Sequence, residues 1–80
     1  MKARSSNLSA ADLRPGELGT ITAVLGSGPV RQRLLDMGLL PGTRIQVERV
    51  ALTGDPIWIR TDGVQVSLRR KEACTVSVRG

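Results

Sequence analysis

The chain contains no histidine, phenylalanine or tyrosine, and only one cysteine and one tryptophan. Each shortage closes a route. Without imidazole, the commonest metal ligand and the usual general acid–base group near neutral pH are both missing. A lone thiol, Cys74, forbids an internal disulfide and suits a reducing compartment. With Trp58 as the sole aromatic residue, any core has to be built from aliphatic side chains. No run approaches the ~18 apolar residues of a membrane span. The N-terminal "MKARSSNLSAADLR" has basic residues but lacks the apolar stretch of a secretory leader. These absences read as a cytosolic protein.

What is present is 80 residues with 40% hydrophobic content. That is one domain with a thin core, because a chain this short buries only about 60–65% of its unfolded surface. The formal charge of +5 comes from 12 basic and 7 acidic residues, with one cluster at Arg69-Arg70-Lys71. It favours an acidic partner of some kind and does not choose between nucleic acid, anionic membrane and protein.

Residues 1–12 are small, polar and aperiodic, and are expected to form a flexible tail, with the ordered domain occupying 13–80. "GTITAVLG" is rich in β-branched residues and bounded by glycines, a first strand with Ile21, Ala23 and Leu25 on one face. Val24 breaks that alternation, which suggests a bulge. "GSGPVRQRLLDMG" is the helix signal, with Pro29 at the first turn and Gly38 as C-terminal stop. Val30, Leu34 and Met37 make its inward stripe, and Leu39 should fold back onto Leu34.

Four strands follow. "TRIQVERVAL" faces Ile45 and Val47 inward and slips phase near Arg49-Val50; "DPIWIRT" does the same with Ile57 and Ile59. Asp62-Gly63 is a two-residue hairpin turn leading into "VQVSL", where Val64, Val66 and Leu68 alternate. "RRKEA" is a short helical corner, and "CTVSV" closes the chain with Val76 and Val78 inward. The expected fold is mostly β: a small, strongly bent five-stranded barrel with one short helix between strands 1 and 2.

The combination "RQRLLDMGLLPGTRIQV" with "GDPIWIRTDGVQVSLRRKEACTVSV" resembles the ferrous iron transport protein A (FeoA) family, over about Leu13 to Val78. The most specific parts are Arg33-Leu34 with Met37-Gly38-Leu39, Pro41-Gly42-Thr43, Gly54-Asp55-Pro56, and Leu68-Arg69-Arg70 with Glu72-Ala73. The resemblance implies an SH3-like barrel. It further implies a cytosolic accessory role in bacterial ferrous iron uptake, beside the GTPase-coupled permease FeoB. It brings no catalytic residues.

No metal site is expected. Ferrous iron needs imidazole, carboxylate or thiolate groups converging on a point, and Asp55, Asp62, Glu48 and Glu72 sit beside turns or basic residues. Neither a cofactor nor an enzymatic activity is expected, because no Ser or Cys has an identifiable base to activate it. Cys74 reads as a small buried hydrophobe. Candidate partner-binding residues are Leu35 and Leu40 at the flank and end of the helix, Leu52 in the hairpin loop, the outward-facing Trp58, and Arg69 and Arg70. Leu35 and Leu40 could join Leu52 in one apolar patch. The competing function is nucleic-acid binding by a small basic barrel, disfavoured because a lone aromatic makes a poor base-stacking platform.

Overall fold

The computed structural model describes residues 8–80. Chain order is a 3₁₀ turn (Ala10–Asp12), β1 (Leu18–Val24), α1 (Gly28–Asp36), β2 (Arg44–Val50), β3 (Ile57–Thr61), β4 (Val64–Leu68), α2 (Arg70–Ala73) and β5 (Val76–Arg79). The strands form one antiparallel sheet in the order β4-β3-β2-β1-β5. This is the expected mostly-β, SH3-like barrel of five strands, with α1 between the first two.

Two bulges supply its curvature. In β1 the register against β5 steps from Ile21↔Val78 to Ala23↔Ser77, so Thr22 is the extra residue. In β2 it steps from Val47↔Ile59 to Arg49↔Trp58, and Glu48 is extra. An extra residue inverts the faces beyond it. Val24 is therefore buried, whereas Leu25, expected inside, stands exposed.

The core is aliphatic throughout: Ile21, Leu34, Leu39, Ile45, Val47, Ile57, Ile59, Leu68, Val76 and Val78 are almost completely enclosed. Helix α1 closes one end. Its C-terminus is a Schellman cap, in which the Gly38 N–H donates to the Leu35 carbonyl at 3.0 Å and the Leu39 N–H to the Leu34 carbonyl at 3.2 Å. Gly38 sits at φ +94, a conformation that side-chain-bearing residues rarely adopt. The cap folds Leu39 back so that it and Leu34 are both fully buried.

The inward stripe is shorter than its spacing predicts. Leu34 is enclosed, Leu35 and Met37 pack partly against the core, and Val30 is half exposed. Only the C-terminal half of α1 lies over the barrel. Val64 is likewise exposed, because it stands at the hairpin end of an edge strand.

Order begins earlier than Leu13. Ser9 caps the 3₁₀ turn, accepting from the Ala11 N–H at 3.2 Å while Asp12 accepts from the Ser9 N–H at 2.8 Å. Ala10 and Ala11 are buried in the main core. Ser9 bridges to Ser77, and the Val78 N–H donates to the Leu8 carbonyl at 2.9 Å. The rest of the expected tail, residues 1–7, lies outside the described residues.

Candidate functional site

The loop between β2 and β3 is fixed from two sides. Within it, the Ala51 N–H donates to the Pro56 carbonyl at 3.1 Å, the Gly54 N–H to the Ala51 carbonyl at 2.7 Å, and the Thr53 hydroxyl to the Asp55 carbonyl at 3.0 Å. From outside, the Asp55 carboxylate accepts the Arg70 backbone N–H at 3.1 Å and lies 3.7 Å from Arg69 Nε. A carboxylate here satisfies one of the free N–H groups that open α2.

Leu52 sits at the tip of this anchored loop, fully exposed. Arg69 keeps 71% of its side chain in solvent, and Arg70 and Lys71 are exposed beside it. The Arg70 guanidinium lies along Gly54, where a Cβ would stand 3.9 Å from it. The arrangement is an apolar side chain on a loop anchored through Asp55 to a corner that exposes three cations.

Trp58 stands at the base of the same hairpin, one register step from Ile57↔Val50. It faces outward, as alternation requires, and is half-buried, with the Arg49 guanidinium 4.1 Å from its ring centroid. One ring face is thus occupied by a cation, which extends the basic surface towards the sheet.

Four of the six candidate partner residues therefore share the hairpin end: Leu52, Trp58, Arg69 and Arg70. The other two do not join them. Leu35 packs partly into the core. Leu40 is exposed, but on the turn leading into β2, which is held to β1 by the Gly42 N–H to the Ile21 carbonyl at 2.7 Å. The full length of β2 separates Leu40 from Leu52, so the patch expected of Leu35, Leu40 and Leu52 does not form.

Sequence reasoning missed Arg49 and the anchoring role of Asp55. The phase slip near Arg49 was visible, but its exact step decides that Arg49 lands opposite Trp58. The Arg33 guanidinium pairs with Glu72 of α2, while Asp36 accepts from Gln32 Nε2 at 2.9 Å. Glu72 also accepts the Arg69 N–H at 2.9 Å, so one nearly buried carboxylate ties α1 to the corner that carries the arginines. Cys74 is exposed, contrary to expectation; the buried small residue there is Ala73.

On the outer sheet face, Glu48 receives Arg60 and, at 2.7 Å, Gln65 Nε2. These donors, Arg60 first, hold its carboxyl below the usual carboxylate range despite some opposing desolvation. Among the described residues, no three His, Cys, Asp or Glu side chains are grouped to hold a metal ion. A cleft of ≈ 210 Å³ between Leu18, Gly19, Thr20, Arg44 and Gly80 is smaller than the ~300–1,000 Å³ usual for small-molecule sites. No helix among the described residues is long and apolar enough to cross a membrane.

Fold and surface together define a small SH3-like barrel that presents a basic hairpin end. Residues 8–80 match the FeoA domain family model, and the chain belongs to the FeoA family. It is 37% identical over 68 residues to a fusion of Fe(2+) transport protein A with the Fe(2+) transporter FeoB from Porphyromonas gingivalis. That match takes in 85% of this chain and 8% of the fusion, so the chain corresponds to a small part of that relative. The solution structure of FeoA from Chlorobium tepidum superposes with a TM-score of 0.84 at 35% identity, over 90% of this chain and 69% of that one. The zinc complex of Stenotrophomonas maltophilia FeoA, described as a prokaryotic SH3 domain protein, gives 0.81 at 18% identity over 90% and 89% of the two chains, a likeness of fold alone.

Proposed function

We propose that this protein is a cytosolic accessory factor of ferrous iron uptake that docks on the cytosolic GTPase domain of a FeoB-type permease. The observation that carries this reading is the anchored hairpin end, where a fully exposed Leu52 rides on a loop pinned by Asp55 to the corner that exposes Arg69, Arg70 and Lys71. A loop already held by Asp55 loses little conformational freedom on binding, which leaves more of its contact energy for affinity. The three cations call for an acidic rim on the partner around a pocket for one aliphatic side chain. The fused relative supports FeoB as that partner, since fusion keeps two associating proteins at high effective concentration. In this reading the protein carries no reaction and holds no iron; its work is to alter the permease's transport or nucleotide cycle by contact.

The test is titration of the isotope-labelled protein with full-length permease in nanodiscs and with its soluble GTPase domain. Amide shifts centred on residues 51–56 and 69–71 are expected, weakening as salt rises. Leu52→Asp should reduce affinity at least tenfold while the spectrum of the free protein stays dispersed. Absence of association with the full-length permease defeats the proposal, and shifts confined to the α1 end move the surface elsewhere.

A further inference from the structure

We propose that the outer edge of β4 pairs with the same edge of a second copy, making an antiparallel two-fold dimer with a continuous ten-stranded sheet. This stands independently of the permease reading.

The two edges of the sheet are treated differently. The β5 edge is covered by the chain's own Leu8 and Ser9. The β4 edge pairs only inward, with β3. Asp62 and Gly63, both at positive φ, make a two-residue turn that sets Thr61 opposite Val64. In antiparallel alternation Val64, Val66 and Leu68 then exchange hydrogen bonds with β3, and the N–H and C=O groups of Gln65 and Ser67 point out of the sheet. Among the described residues, no backbone hydrogen bond reaches those four groups.

Exposed edges are usually guarded by charge, proline or a bulge. Here β4 reads Val-Gln-Val-Ser-Leu, uncharged, without proline and in unbroken register. The one long polar side chain, Gln65, is drawn across the sheet to Glu48 at 2.7 Å and leaves its own backbone uncovered.

The edge is self-complementary. Antiparallel pairing centred on Val66 sets Gln65 opposite Ser67 of the second copy, and each such pair exchanges two backbone hydrogen bonds. Apolar positions then meet apolar positions on the inner side, covering the exposed Val64. Both chains carry net positive charge, yet this direction keeps their basic clusters at opposite ends of the strand pair. It also brings residues 69–71 of each copy beside Asp62 of the other. The covered β5 edge closes the assembly at two copies.

The experiment is sedimentation velocity with ¹⁵N–¹H spectra of the full chain across a dilution series from millimolar to micromolar. A concentration-dependent rise in mass is expected, with the Gln65, Val66 and Ser67 amides shifting together. Ser67→Pro removes an N–H that bonds nothing within the barrel, so it should leave a dispersed spectrum and weaken association at least tenfold. The double change Gln65→Lys with Ser67→Lys sets lysine against lysine across the edge and should have the same effect; it decides the matter if the proline variant does not fold. A chain that is monomeric at every concentration, association unaffected by the substitutions, or shifts centred on Leu52 would each overturn the proposal. So would shifts at β4 that appear only when the permease domain is added, because the edge would then take another protein's strand.

Discussion

Replacing Leu34 and Val30 separately with alanine distinguishes the helix that the spacing implies from the helix that packs. The two lie one turn apart on α1 and belong to the same apolar stripe. Leu34 is fully enclosed, seated beneath Leu39 in the Schellman cap, whereas Val30 is 48% exposed. Leu→Ala in a closed core costs about 2–5 kcal/mol, the spread reflecting how far the site can relax. Leu34 closes an end of the barrel with the core beneath it and the cap above, so about 3 kcal/mol is expected. An 80-residue domain is stable by only about 4–12 kcal/mol, which makes this a large share. With a urea slope of about 1 kcal/mol per molar, the midpoint should fall by about 3 M. Val30→Ala should move it by less than about 0.5 M, since the little packing lost is offset by alanine's better helix propensity. Trp58 fluorescence, cross-checked by far-UV circular dichroism, gives the curves. A Val30→Ala cost above about 1.5 kcal/mol, or a Leu34→Ala cost below about 1 kcal/mol, refutes the argument that only the C-terminal half of α1 closes the barrel.

Gly38→Ala should cost about 1–2 kcal/mol from backbone strain alone, because φ is +94 and no atom stands within 4 Å of the added methyl; a neutral thermal melt would contradict this. For Glu48, Arg60 and Gln65 hold the folded pKa below 4.5, so its contribution is complete above that pH and fades as pH falls through the folded value. The stability gap between the wild type and Glu48→Gln, measured by urea titration, should therefore shrink from pH 7 to pH 3, and a constant gap counts against the assignment. Cys74, being exposed, should react with a maleimide in the native protein as fast as after denaturation, and capping it should leave the melting temperature unchanged; slow labelling that needs urea would place the thiol inside.

Much of the architecture was legible because it rests on short-range physics. Asp62-Gly63 specifies its turn through backbone conformation, Gly38 its cap, and Ile45, Val47, Ile57 and Ile59 their faces through a period of two. What misled was phase. A bulge moves burial by one residue, and the composition around Val24 told of a break without saying which side of it would be inside. Val30 failed for another reason: periodicity shows which side of a helix is apolar, and not how much of its length has anything beneath it. Leu8 to Asp12 failed because small residues such as Ala10 carry little pattern, yet lie buried in the core. At the candidate surface, Leu52, Arg69 and Arg70 were visible as exposed types. Their meeting depends on Asp55 reaching α2 from 15 residues away, a long-range contact that no local rule contains.

The hairpin end and the β4 edge share one cause in the topology. A barrel whose last strand returns to pair with the first must leave the chain at Leu68, cross an end, and re-enter at Val76. That crossing is the corner 69–75. It exposes its basic residues, Arg69, Arg70 and Lys71, because Glu72 and Ala73 use up the inward positions. The same departure leaves β4 without a strand on its far side, while β5 obtains its cover from Leu8 and Ser9. Asp55 then couples the two regions: it holds the Leu52 loop to Arg70, the second residue after the strand that forms the open edge. Removing its carboxylate with Asp55→Ala frees the loop and the start of α2 but touches no β4 backbone bond. Permease binding should therefore weaken while β4 self-pairing persists, and loss of both together would mean that the two surfaces are one.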